Sequence, residues 1–390
     1  MKLTSNQQML SNKIGGISLI ELLIAMTLGL ILLAGMIAVF SGNQRSSELN
    51  TAMANMQENA RFALSAIGSD IRMAGFQGCL DSRRGRMTVK SIAAPVPTDG
   101  VNPDGSIKHN INQSAATGSV IQPSGEWQPA IPGNFTPSDT NPPIPGTHAL
   151  SVQYGNSRQS QLQGPVNSGA SPNLQGPAIT VDDLEFAAGD LALIGNCESV
   201  DLFTVTAVQS ANGGQSLAHA AAQNFDGNFT TRYGIPRNIA QTYVMGFESR
   251  IYYVGDTGLE NSSGDQIRAL YMQSFPYNDP DNPPAEVVQG VENLRIAFGI
   301  STNNTLRYVT ADDPVFRPED VESIQIGLIL SSWDRIAEQN DTNTYVIAGQ
   351  SILPSASSIN GQTHPQDGRY RLVFNTTVKV RNRRDERISF

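Results

Sequence analysis

Ile17-Ser-Leu-Ile-Glu-Leu-Leu-Ile-Ala-Met-Thr-Leu-Gly-Leu-Ile-Leu-Leu-Ala-Gly-Met-Ile-Ala-Val-Phe40 is an almost unbroken apolar run. About 20 such residues cross the hydrocarbon of a bilayer as a helix, so 17–40 reads as a transmembrane segment. The preceding residues, Met1–Gly16, are short and polar, carry Lys2 and Lys13, and contain no acid. Positive charge on that side predicts a cytoplasmic leader with everything after the span exported. A secretory signal fits poorly, because its apolar stretch is about 7–15 residues and its cleavage site follows the stretch. Here the candidate cut precedes the run. A plain membrane anchor accounts for the length but leaves Glu21 unexplained, since an ionisable group within a span costs about 2.5–3.5 kcal/mol at mid-bilayer and points to function.

Gly16-Ile17-Ser18-Leu19-Ile20-Glu21 resembles the type IV prepilin cleavage motif: a glycine, an apolar residue, and a glutamate at the fifth mature position. The resemblance implies that a membrane aspartyl prepilin peptidase cuts after Gly16 and N-methylates Ile17. It also implies that Glu21 is the assembly glutamate. Phenylalanine is commonest where this chain has Ile17, but other apolar residues are tolerated there. The physics agrees: a new α-amine on one subunit can pair with the buried Glu21 carboxylate of a neighbour, and low dielectric makes that pairing fix register.

Beyond Gly42 the pattern becomes amphipathic. Leu49, Met53, Met56, Ala60, Ala63, Ile67 and Ile71 recur at spacings of four and three, the mark of one buried helical face. Asn50, Asn55, Gln57, Arg61, Ser69 and Asp70 lie between them, and Gly75 and Gly78 are the first strong stops. Residues 17–74 thus predict one spine helix about 85 Å long. Gly29, Gly35 and Gly42 fit close helix packing or local melting, and equally fit ordinary membrane-helix glycines.

The remaining 75–390 reads as an exported β-rich domain. Charged residues make up 16% of the 390, below the roughly 25% of average soluble proteins, while 35 Gly and 22 Pro mark many turns. Segment 91–176 is rich in Pro, Gly, Ser, Asn and Gln and reads as long loops with a few short strands such as Ala149–Tyr154. From about 177 strand signals accumulate, at 190–194, 201–208, 250–254, 269–272 and 294–300. Ile324, Ile326, Leu328 and Leu330 alternate on one face, as do Leu372, Phe374, Thr376, Val378 and Val380. The fold class is α+β: a long N-terminal helix, transmembrane in its first half, packed on antiparallel sheets.

The two cysteines, Cys79 and Cys197, form no CxxC pair. In an oxidising compartment one disulfide is the natural reading, with two free thiols as the alternative. Such a bridge would tie the end of the helix to the sheet. On the chain-entropy argument, closing so long a loop is worth about 4–5 kcal/mol.

Five segments extend the resemblance to the PilW family of minor pilins. They are Asp70-Ile-Arg-Met-Ala-Gly-Phe-Gln-Gly-Cys79; Gly189-Asp-Leu-Ala-Leu-Ile-Gly-Asn-Cys197 with Asp201-Leu-Phe203; Val291-Glu-Asn-Leu-Arg-Ile-Ala-Phe-Gly299; Ser323-Ile-Gln-Ile-Gly-Leu-Ile-Leu330; and Arg371-Leu-Val-Phe-Asn-Thr-Thr-Val-Lys-Val-Arg-Asn382. Segment 91–176 carries no such likeness. The family resemblance implies a low-abundance subunit of the pilus tip. Its partners would be other minor pilins, the major pilin and a tip-associated adhesin, and it would support assembly, twitching motility, adhesion and DNA uptake. It would wait in the bacterial inner membrane with its C-terminal domain periplasmic, then move to the extracellular pilus tip. A J-type pseudopilin of a type II secretion system shares the design, although such subunits are usually much smaller. A tip adhesin working through the 91–176 loops is a further reading.

No enzyme signature stands against these readings. His109, His148, His219 and His364 lack metal-ligand spacing, and there is no GxSxG, P-loop or GxGxxG segment. No cofactor or metal is expected. The acidic groups at 278–282, and Asp312-Asp313 with Glu319-Asp320, offer oxygen ligands without the spacing of a calcium loop and read as polar turns. A net charge of −9 argues against direct nucleic-acid binding. The basic tail Arg381, Arg383, Arg384 and Arg387 is diluted by Asp385 and Glu386.

Overall fold

The computed structural model describes residues 18–80, 87–95, 100–101, 107–109, 116–122, 127–128, 135, 141–166, 169–174, 186–211, 214–225, 227–235, 242–277, 279–302, 305–356 and 361–382. One helix, α1 (Leu19–Met73), runs for 55 residues. The chain forms two compact units, one ending at Thr51 and the other beginning at Ala52.

In the first unit α1 contains a stretch long and apolar enough to cross a membrane. Two hydroxyls of that stretch turn back onto the helix: Thr27 donates to the Ile24 carbonyl at 2.9 Å and Ser41 to that of Ala38 at 3.2 Å. Such back-bonding satisfies a hydroxyl without water.

In the second unit the helix is amphipathic as its spacing predicts. Met56, Ala60, Ala63, Ile67 and Ile71 are buried, and Met53 is half-buried against the same core. Each fully buried isoleucine is worth about 1.5–3 kcal/mol in transfer terms. The helix stops where a left-handed residue is needed: Gly75 has φ 75°, a conformation that a side chain disfavours. The orphaned last carbonyls find a donor from the far end of the chain. The Asn382 amide lies 3.4, 3.2 and 3.3 Å from the carbonyl oxygens of Arg72, Met73 and Ala74.

The principal strands are β1 (Met87–Val89), β2 (Ala116–Ile121), β3 (His148–Gln161), β4 (Leu191–Gly195), β5 (Val200–Thr204), β6 (Tyr243–Glu260), β7 (Gln266–Ser274), β8 (Ala285–Gln289), β9 (Val291–Thr302), β10 (Thr305–Val309), β11 (Val321–Arg335) and β12 (Arg369–Lys379). The larger sheet carries them in the order β1-β5-β4-β6-β3-β2, with β7 added to β6 and β8 to β7. The pairing is antiparallel except between β1 and β5. Strand β6 pairs with β3 on one side, while its start pairs with β4 and its later half with β7 on the other.

The smaller sheet runs β10-β9-β11-β12, antiparallel throughout. Its register places Leu294 opposite Leu328, Ile296 opposite Ile326, and Phe298 opposite Ile324, which in turn faces Val378. Both alternating patterns read from the sequence therefore turn one face to the core. There they meet Met56–Ile71 of α1, with Leu150, Val152, Tyr154, Tyr252 and Val254 of the larger sheet closing the cluster.

The structure differs from the sequence expectation in extent rather than kind. Strand β3 is 14 residues long and central, although it lies in the segment read as loops. The expected strand 201–208 is two strands, β5 and Ala207–Ala211, the latter in a separate two-stranded sheet.

Candidate functional site

Two regions of the chain bear on function: the apolar helix with its glutamate, and the junction where α1 ends in the β-rich unit. Gly16 and Ile17 lie outside the described residues. Glu21 sits in the first turn of α1, where a carboxylate suits the positive end of the helix dipole. It is exposed, as are the apolar side chains around it: Leu19 is 77% and Phe40 70% exposed. A methyl built on Gly29, Gly35 or Gly42 would meet nothing within 4 Å. Among the described residues, no packing contact requires those glycines.

At the junction, Asp70 is buried on the helix face that meets the larger sheet. Its carboxylate accepts the Tyr252 hydroxyl at 2.6 Å and the Tyr154 hydroxyl at 2.8 Å, and Arg250 Nη1 donates to it at 3.1 Å. Burial, then the Asp70 charge, pushes both phenols above their ordinary range. They therefore act as fixed donors, and the set fastens helix to sheet.

Past the helix, Cys79 and Cys197 form a disulfide with Cα atoms 4.8 Å apart, joining the turn after α1 to the β4–β5 turn. This is the bridge the sequence pointed to. Tyr243, on β6, donates to the Gln77 carbonyl at 2.6 Å, and its oxygen meets the backbone amides of Cys79 and Leu80.

A third polar centre lies at the start of β9 and β12. Glu292 receives Arg371 Nε at 2.7 Å and Arg369 Nη2 at 2.8 Å, and Asp367 pairs with both arginines at 2.8 Å. Asp341 adds a contact to Arg371 at 3.2 Å. Burial alone would raise the Glu292 carboxyl, but Arg371 and Arg369 outweigh it and bring it down to about 2. With two arginines interleaved among three carboxylates and the side chains buried, this network has the character of a structural clamp.

The histidines are dispersed. His148 accepts from the Ile296 amide at 3.1 Å, and burial followed by the Arg295 charge lowers it to about 3. His219 and His364 lie at hydrogen-bond distance from the Ala170 and Asn343 carbonyls. The side chain of His109 lies outside the described residues. Among the described residues no group of three His, Cys, Asp or Glu is placed to hold a metal ion. The acidic turns are engaged locally, with Asp279 accepting from the Asp281 amide and Asp313 from the Val315 amide, both at 3.0 Å.

Sequence reasoning missed the role of Asp70, which it placed among the polar residues of the helix, and the Glu292 clamp. Their partners lie far along the chain, so no local spacing could reveal them.

Two parts of the chain match known families. Residues 11–37, which contain Gly16, Ile17 and Glu21, match the prokaryotic N-terminal methylation motif. Residues 251–382, from within β6 to the Asn382 clamp, match the family of type IV pilus-assembly protein W, PilW. A type IV-like pilin from Thermus thermophilus is similar at 19% identity over 35% of this chain and 78% of its own, with a TM-score of 0.18. No curated protein matches. A methylation-motif helix leading into a β-rich domain defines the class: this is a type IV pilin-like protein. Within that class, its residues 251–382 carry the likeness to PilW.

Proposed function

We propose that the protein is a minor pilin of the type IV pilus, a structural subunit of the tip complex that primes assembly. The observation that carries this reading is the joining, in one chain, of the methylation motif around Gly16, Ile17 and Glu21 to a PilW domain. Residues 1–16 act as the leader, cut after Gly16 by prepilin peptidase, which then methylates Ile17. Residues 17–74 form the spine and 75–390 the exported domain. Before assembly the apolar helix holds the subunit in the inner membrane, with its C-terminal domain periplasmic. In the filament, Glu21 receives the α-amine of a neighbouring pilin, and the exposed apolar side chains of 19–40 pack against other subunits. Other minor pilins, the major pilin and a tip-associated adhesin are its partners, and twitching motility, adhesion and DNA uptake are the activities it serves.

The experiment is to delete the gene and count surface pili with and without the retraction motor. Pili that vanish, and partly return when retraction is blocked, are the expected result. Normal pilus numbers would remove the assembly role and favour a secretion pseudopilin.

A further inference from the structure

We propose that the Cys79–Cys197 disulfide is a thiol–disulfide exchange site, opened by a dithiol and reclosed by an oxidised dithiol while the domain stays folded, with Tyr243 as its positioning residue. The inference goes beyond the pilus reading and does not depend on it.

Accessibility comes first. Both cysteines are exposed, whereas Gln77 and Leu80 on one side and Asn196 and Val200 on the other are buried. The bridge therefore sits on the surface of a packed joint, and a thiolate can reach sulfur without entering the core.

Both turns are also held by contacts that do not involve sulfur. On the strand side, the Asn196 amide donates to the Ser199 carbonyl at 2.9 Å. The Asn196 side-chain oxygen accepts from the amides of Glu198 and Ser199 at 2.8 and 2.9 Å. On the helix side, Gly75 donates to the Gln153 carbonyl at 2.9 Å and Gly155 to the Phe76 carbonyl at 2.6 Å.

Tyr243 joins the two sides. Its backbone is in register with Gly195, two residues before Cys197, and its hydroxyl donates to the Gln77 carbonyl, two residues before Cys79. The ring leaves no room for a side chain at either Gly78 or Gly195. When the S–S bond is open, the same phenol keeps both turns in place and holds the two sulfurs near bonding range.

The chemistry balances as an exchange. One thiolate of the external dithiol attacks Cys79 or Cys197 sulfur, forming a mixed disulfide and expelling the other sulfur as a thiolate. The reagent's second thiol, as its thiolate, then attacks the reagent's first sulfur and expels the protein sulfur bound to it. The reagent leaves as its disulfide, and its two electrons and two protons remain with Cys79 and Cys197 as thiols. Reclosure by an oxidised dithiol is the reverse. The consequence is a redox-controlled joint at the point where α1 enters the sheet.

The test uses the full chain in detergent with dithiothreitol as the probe, followed by iodoacetamide and intact mass. Without denaturant, two carbamidomethyl groups should be gained while the circular dichroism spectrum and the protease pattern of the β-rich unit stay native. Sub-denaturing urea should leave the reduction rate nearly unchanged. On oxidised dithiothreitol, the folded reduced protein should reclose, and Tyr243→Phe should do so about fivefold to tenfold more slowly, the scale of one or two lost hydrogen bonds. A purely stabilising role for Tyr243 would shift the unfolding midpoint but leave that rate alone, and such a result removes the positioning role. Where Tyr243→Phe fails to fold, the wild-type urea dependence decides. Reduction that rises steeply with urea, or a native spectrum lost on reduction, overturns the exchange site.

Discussion

The Asp70 carboxylate accepts the Tyr252 hydroxyl at 2.6 Å across 182 residues of sequence, bringing a helix carboxylate to a strand in the middle of the larger sheet. With Tyr154 and Arg250 on the same carboxylate, the contact turns a generic helix-on-sheet packing into one fixed register.

Replacement of Asp70 by alanine should therefore cost more than replacement of any one donor. It leaves a half-buried guanidinium and two buried hydroxyls without their acceptor, a loss of about 3 kcal/mol. Tyr252→Phe removes one hydroxyl and should cost about 1–1.5 kcal/mol. Urea unfolding of both variants checks the order, and equal midpoints would contradict it.

Stability should fall as pH drops below about 6.5 because of His148. Its folded-state value is depressed to about 3, so between about 6.5 and 3 the unfolded chain binds a proton that the folded chain refuses. The urea midpoint of the wild type should decline through this window, with His148→Gln flatter above pH 4.5. Asp201 is raised by burial and acts with the opposite sign in the carboxylate range, so the variant comparison is the diagnostic. Parallel wild-type and variant slopes would refute the assignment.

A second acid step belongs to Glu292. Its carboxyl is depressed from an ordinary 4.5 to about 2. The stability it contributes is complete above the ordinary value and is lost as pH falls through the interval down to about 2. Glu292→Gln should abolish that step and, near neutrality, cost about 3 kcal/mol by removing one of the buried carboxylates that hold Arg369 and Arg371, with Asp367 left to pair with both. Thermal unfolding from pH 2 to 6 reads both effects.

Loss of the disulfide should destabilise without preventing folding. Closing a loop of 118 residues is worth about 4–5 kcal/mol on the chain-entropy argument, less than the upper range of domain stabilities. Cys79→Ser should yield less folded protein and unfold at lower urea. Unchanged protease resistance and midpoint would show that the bridge adds nothing.

Glu21→Ala should leave the protein in the membrane but reduce its recovery in sheared pili, because the acceptor for a neighbour's α-amine is gone. Quantitative immunoblots of membrane and sheared fractions distinguish this from loss of expression. Normal recovery in pili would separate Glu21 from assembly.

Much of this fold was legible because it rests on short-range periodicity. The apolar run, the Met56–Ile71 stripe and the alternations of β11 and β12 each encode a face over a few residues. Cys79 and Cys197 were the two thiols available, so their pairing needed only an oxidising context. Strand β3 was obscured because its later half, Tyr154-Gly-Asn-Ser-Arg-Gln-Ser-Gln161, is polar and glycine-bearing. Its pairing comes from β6 on one side and β2 on the other, not from propensity. Strand β6 was longer than its 250–254 signal because glycines at 246, 255 and 258 interrupt the pattern. The Asp70 lock and the Glu292 clamp were illegible for a different reason. Burying a charge is decided by partners that only the completed fold supplies.

The grip of Asn382 on the last carbonyls of α1 has a mechanical meaning. Tension carried along the helix can pass at Arg72–Ala74 directly to Asn382, just past the end of β12, across a sequence separation of 310. That strand is laddered to β11 from Ser323↔Lys379 to Ser331↔Arg371, so the load is shared among many bonds rather than concentrated on one.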